Sequence, residues 1–460
     1  MVFSPELAEI RFGCGLSPVQ ARPQSPAAMV DALLAADVAA QAFPIEPFPA
    51  FRARLVEQKR LARAMRQADS PARQAVLKDE NRARNKQTRR ESILWFGQSL
   101  LRWVHTSQGF RERLVHFWAD HFTAQGKRGA MTHGGLPYQE EAIRPNISGR
   151  FEDLLFDAVT HPLMVHYLDQ RSSIGPGSEI AREKPNAGLN ENLAREVLEL
   201  HTLGVSGPYT QADVRQLAEL FTGMGYLPHK GFIYRAKAAE PGAETVLGKN
   251  YGGAKARLGD VRAVLRDLAR HPATAEHVAT KLAVHFLSDA PPPELVAHVA
   301  ARYRETRGEL TEVYRALLEH PLAWEPGLQN VKPAFDYVAS GCRALALSAE
   351  RMTGAKPNHL KRVFLGPMKM MGQPWLRPAG PDGWSEDDSE WLSPQGQAAR
   401  IGWAMSAPTR LTPDLIDPRA FLDHALGPYA SPVLRRQVHG AETREEGVGL
   451  VLMSPSFQRR

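Results

Sequence analysis

Only two cysteines occur in 460 residues, Cys14 and Cys342, and they lie far apart in the chain. That excludes a disulfide framework and an all-cysteine metal site, and it fits a reducing compartment. No run of about 18 apolar residues exists, so no membrane span is expected. The opening residues, Met1 to Glu6, have neither a basic start nor an apolar stretch. No secretory signal is therefore expected, and the expected location is cytoplasmic. There is no Gly-x-Ser-x-Gly elbow, no P-loop spacing around Gly248-Lys249 and no dinucleotide fingerprint. Cys14 sits between Gly13 and Gly15, where exposure is conceivable, but nothing beside it marks a nucleophile.

What is present is ordinary in bulk. Hydrophobic residues make up 43% and charged residues 23%, as in soluble globular proteins. The length is ample for a core without staples. The net charge of +7 is concentrated: residues 52–90 hold thirteen Lys/Arg against four Asp/Glu, a local excess of nine. Such a run attracts nucleic acid or other anions. Only Phe51 and Trp95 flank it, which weakens a single-strand nucleic-acid reading, and the plainer reading is a solvated helical face.

Helical periodicity dominates the chain. Residues 50–90 are rich in helix formers, break at Ser70-Pro71 and carry a thin apolar stripe (Leu55, Leu61, Met65), which predicts a peripheral hairpin. Strong patterning covers 91–123, and a further helix is expected over roughly 151–168. A long loop, Asp169 to Leu189 with Pro185, follows. Thr210 to Asp213 reads as a capping box. Residues 232–234 and 245–247 are the one persuasive β signal, read as a small hairpin. Helix breaks fall at His271-Pro272 and His320-Pro321, and residues 364–394 form an irregular Trp/Pro-rich strap. The expected fold is mostly all-α, a multi-helix globular body with at most a small β-hairpin. Expected regions are 1–90, 91–350 and 351–460, within one continuous domain.

The densest polar stretch runs from Asn190 to Val205. At about 100° per residue, Leu193, Val197, Leu198 and Leu200 share a face with His201 in its middle. Asn192, Arg195, Glu196 and Glu199 lie opposite, with i,i+4 pairs Glu191–Arg195 and Arg195–Glu199. Glu196 and His201 diverge by about 140° on such a helix, so they do not chelate one metal from one face. In the 114–122 segment His121 lies inside the apolar arc, while His116 and Asp120 read as a surface pair. If the two helices pack together, His121 and His201 could share a pocket with a carboxylate, suited to acid–base work or a divalent metal. The candidate site is therefore His121, Glu196 and His201, with Arg195 as an anion clamp and Asn192 beside it. Two core histidines bonded to backbone carbonyls are the plainer alternative.

A set of motifs then resembles a large bacterial family, domain of unknown function 1800. They include Phe117-Trp118, His121-Phe122, Asn190 to Glu196, Leu200 to Gly204, Tyr209 to Val214 and Thr222-Gly223. Lys281-Leu282, His285-Phe286, Pro381-Asp382-Gly383-Trp384 and Ser454 to Phe457 continue the likeness along nearly the whole chain. The resemblance implies no established reaction. It implies a neighbouring gene product that looks sulfatase- or phosphatase-like, hence an accessory or interaction role. Hydrolase-type catalysis and anion or nucleic-acid binding through 52–90 are the alternatives. The family's pattern has His where this chain has Ala239 and Trp where it has Met224, which puts any site using that histidine in doubt.

Overall fold

A computed structural model describes residues 3–184 and 188–460. Pro185, expected in the long loop, and the first two residues of the start segment lie outside the described residues. The chain is mostly α-helical, and among the described residues no helix is long and apolar enough to cross a membrane.

Helix α1, Phe48–Arg66, and helix α2, Pro71–His105, form the expected hairpin. The Ser70 hydroxyl accepts the Arg73 amide at 3.2 Å and Pro71 takes the first turn, so the break in the sequence is the start of α2. Helix α3, Gly109–His121, follows. Helix α4, Asn192–Glu196, continues as a π-helical turn, Val197–Thr202. Helix α5, Gln211–Leu220, opens with the capping box: Thr210 and Asp213 exchange side-chain and backbone hydrogen bonds. Helix α6, Pro272–Phe286, α7, Ala334–Ala344, and α8, Pro394–Leu411, complete the frame of the site.

The His-Pro breaks share one cause. His161, His271 and His320 each cap a helix, their Nδ1 accepting the amide two residues on at 3.0, 3.1 and 3.3 Å. The β structure differs from expectation. Residues 232–234 and 245–247 do not pair with each other. Met224–Leu227 pairs with Gly231–Tyr234, and Gly242–Val246 with Lys249–Gly253, as two separate antiparallel hairpins. Each strand finds its partner across a short local turn, which costs less loop entropy than the expected closure. Cys14 is fully buried against α7, not exposed.

Two hydrophobic cores result. One gathers Phe12, Phe51, Trp118, Phe151, Leu198, Leu282 and Tyr314, from the N-terminal residues through Trp324. The other gathers Phe96, Leu100 and Trp103 of α2 with Phe335, Trp403, Phe421 and Phe457. Helix α2 enters both, since Trp95 packs in the first and Phe96 in the second. Trp375 packs against both cores. The candidate site lies on this seam.

Candidate functional site

Helix α3 presents two chemistries on two sides. His116 and Asp120 are one turn apart, as are Phe117 and His121. His121 turns into the first core, beside Trp118, Phe122 and Phe151. His116 and Asp120 turn toward the seam. They are not a surface pair: His116 stacks on Phe335 at 4.7 Å and meets Trp103 edge-on at 5.0 Å. Burial pushes its imidazole down to about 4.

Helix α6 answers with His277, Lys281 and His285, spaced by four, hence on one stripe. Its upper end reaches the histidine pair. The ring centroids of His121 and His201 lie 6.0 Å apart, and those of His121 and His277 6.1 Å. His121 Nε2 lies 3.2 Å from the His201 carbonyl, and His277 Nε2 3.0 Å from the Leu200 carbonyl. A carbonyl only accepts, so both Nε2 atoms carry the proton and both rings keep Nδ1 as a lone pair. Burial first, then the Lys281 ammonium, pushes His121 well below its ordinary value and His201 down to about 3. These imidazoles are neutral at physiological pH.

The lower end of the stripe meets a cavity of ≈ 120 Å³ lined by His116, Asp120, His285, Phe335, Asp336, Trp375, Trp384, Glu386 and Arg460, among others. The Trp/Pro-rich strap closes it. The Trp384 amide donates to both Asp120 oxygens, at 3.0 and 3.1 Å. Two residues on, Glu386 Oε1 accepts from His285 Nδ1 at 2.7 Å. Among the described residues His285 Nε2 is buried without a partner, so this imidazole stands oriented by a carboxylate with its second nitrogen unengaged. Behind the pair is a buried charge network. Asp336 binds Arg113 at 2.5 Å and Arg460 at 2.7 Å, and Arg460 reaches Glu386 at 3.6 Å.

The two carboxyls on the strap side are driven apart. Burial raises Asp120 to about 7, helped by the negative charges of Glu386 and Asp382 and opposed by the Trp384 amide and Lys281. Burial would raise Glu386 too, but His285 and then Arg460 outweigh it and hold it at about 2. One carboxyl is thus a proton donor near neutrality while the other stays ionised.

Gly383 is where the strap touches Asp120. Its φ is +83°, and a β-carbon there would stand 2.5 Å from Asp120 Oδ2. Gly383→Ala is expected to cost more than about 1 kcal/mol and to push the strap off α3. Thermal unfolding and Trp384 emission measure this; wild-type values of both would refute the contact's importance.

The residues singled out in the sequence are distributed as follows. His121 and His201 come together, with His277 added. Glu196 is half-buried and raised to about 7, by burial and then the charges of Glu199 and Asp382. Arg195 is engaged by Glu191 at 3.3 Å, Glu199 at 3.2 Å and Gln211 at 2.9 Å. Asn192 is exposed. None of these five, nor Met224 or Ala239, lines the cavity. The even helical twist assumed for 190–203 is also broken. Leu203 donates to the Leu198 carbonyl at 3.0 Å and Thr202 Oγ1 to that of Val197 at 2.6 Å, five residues back. Such π turns gather at functional sites. Among the described residues no three His, Cys, Asp or Glu side chains form a metal-holding group. Sequence reasoning missed His285, Lys281 and Glu386 as a unit. The 277–281–285 spacing was the available signal, but Glu386 lies about a hundred residues further on, in an irregular segment without periodicity.

A family model described as protein of unknown function (DUF1800) matches residues 8–459. No curated protein and no solved structure matches the chain.

Proposed function

We propose, for a chain that belongs to the DUF1800 family, that the seam cavity is an acid–base catalytic site of the hydrolase type. The observation that carries this is the 2.7 Å His285–Glu386 pair, its Nε2 without a partner, in the same cavity as Asp120. His285 takes a proton from water through Nε2, and Glu386 fixes the tautomer and stabilises the resulting imidazolium. Asp120, protonated up to about pH 7, donates to the leaving group. In this reading His121, His201 and Glu196 lie outside the cavity and do not touch substrate. Arg195 and Asn192 are occupied or solvated and contribute to the α4 surface. The same assay, run with and without chelator, tests for a divalent metal.

The test is a panel of chromogenic esters, phosphates, sulfates and glycosides assayed across pH 5–9. Turnover should appear for at least one class and fall roughly 10²–10⁴-fold in both His285→Gln and Glu386→Gln. Turnover that ignores both substitutions would sink the reading.

An accessory role beside a sulfatase- or phosphatase-like protein is the second proposal. It is favoured by Ile401 and Met405, one turn apart on α8 and exposed at 49% and 41%. Native pull-down with wild-type protein and with Ile401→Asp tests it; a sulfatase- or phosphatase-like protein captured equally by both would remove this face from consideration.

A further inference from the structure

Beside the catalytic cavity lies a larger groove of ≈ 520 Å³. The two share Ala124, Gln125, Gly135, Trp375 and Leu376, so these five residues form a wall common to the groove and the cavity. Its lining carries Arg89, Lys361, Lys369 and Arg377 and contains no aspartate or glutamate. These cations come from two distant parts of the chain: the end of the basic run on α2, and residues 361–377 leading into and along the strap. Elsewhere on the hairpin several cations are paired with carboxylates. Arg60 meets Glu57 and Glu80, Arg84 meets Glu57 and Glu80, and Arg82 meets Asp79. The four groove cations line one volume, Lys361 half-buried and Arg89, Lys369 and Arg377 exposed. Among the described residues Arg377 donates only to the Thr132 carbonyl, at 3.4 Å, and burial together with the charges of Arg377 and then Arg89 pushes the groove's His133 down to about 4. Trp375, which lines both spaces, keeps a buried indole N–H without a partner among the described residues.

We propose that this groove is the binding subsite for an oxyanion group carried by the substrate, whose scissile bond then reaches the adjoining cavity. The inference rests on the acid–base reading of that cavity and names its substrate class: a molecule bearing a phosphate, sulfate or carboxylate some distance from the bond that is cut. The physics is a local field. Four like charges with no internal counter-charge repel one another until an anion enters, and a concave wall strengthens their field. Guanidinium and ammonium groups donate to oxyanions.

Inorganic phosphate, sulfate and acetate, titrated calorimetrically into the full chain at low ionic strength, test this. At least one should bind at one ion per chain, weakening as NaCl is added. The triple variant Lys361→Gln, Lys369→Gln, Arg377→Gln should bind at least tenfold more weakly. A control that removes equal charge elsewhere, Arg66→Gln, Arg73→Gln, Lys78→Gln, should bind as the wild type does. Absence of binding by all three ions, or equal losses in both triple variants, overturns the proposal. Asp120→Asn should lose turnover yet keep ion binding, so a failed groove and a failed catalytic cavity give different results.

Discussion

Asp120→Asn is expected to abolish turnover and, above pH 7, to make the folded chain more stable than the wild type. An unfolded aspartate releases its proton near 3.8, whereas burial holds the folded one to about 7. Between those values the native state binds a proton that the unfolded state has lost, so stability falls as pH rises through the window. Each pH unit there is worth about 1.4 kcal/mol. Water reaching the cavity screens part of this, leaving about 2 kcal/mol at pH 8. Asparagine does not ionise and escapes the penalty, while its carbonyl still accepts from the Trp384 amide. Denaturant unfolding at pH 4, 6 and 8 should show matched stability at pH 4 and a widening gap in favour of the variant. A variant that runs parallel to the wild type across that range would remove Asp120 as a neutral-pH acid. Loss of function with gain of stability is the usual mark of a group held in an unfavourable state for its chemistry.

Asp336→Asn should have the opposite effect, a loss of about 3–5 kcal/mol, because it leaves buried cations without their counter-charge. Arg113 and Arg460 both bind this carboxylate, and Lys332 lies close enough to feel it. Burial alone would raise Asp336, but Arg113 and then Arg460 hold it far below the ordinary carboxylate range. A depressed carboxyl stabilises fully above its unfolded value and loses that contribution as pH falls. Asp336 and Glu386 together therefore predict a steep loss of wild-type stability below about pH 4.5, and a shallower one in the variant. Lys332, lowered to about 7 by burial, offers partial relief. Without Asp336 it deprotonates more readily, so the penalty should be smaller at pH 8 than at pH 6. Unfolding curves at pH 3, 6 and 8 measure all three effects; a penalty under 1 kcal/mol at pH 6 would mean the network is not structurally required.

The fold class was legible in the sequence because 3.6-residue periodicity and proline breaks are local signals. The Ser70-Pro71 start, the Thr210–Asp213 box and the α1–α2 hairpin all follow from a few adjacent residues. The inward turn of His121 and His201 was legible for the same reason. Long-range pairing was not. His116 and Asp120 read as solvated because a helical wheel cannot show that α7 and the strap cover their side of α3. Two of the four strands were seen, at 232–234 and 245–247, but they were paired with each other because their partners, Met224–Leu227 and the Gly-bearing Lys249–Gly253, carry little β signal. The basic run was visible as charge, yet its pairing with Glu57, Glu80 and Asp79, and the separate fate of Arg89, depend on the folded hairpin.

Helix α2 runs through both cores, and that sets when the site can come into existence. The second core joins Phe96–Val104 to residues beyond 333, so its contacts close a loop of more than two hundred residues. At roughly 5–20 residues per second, a nascent chain waits tens of seconds between making Asp120 and making Glu386. The first core can settle in that interval, leaving the seam face of α2 and α3 bare, with Phe96, Trp103 and His116 open to water. Synthesis thus passes through a half-built protein that has its scaffold but no reactive cavity, and that shows an aromatic face a chaperone would recognise.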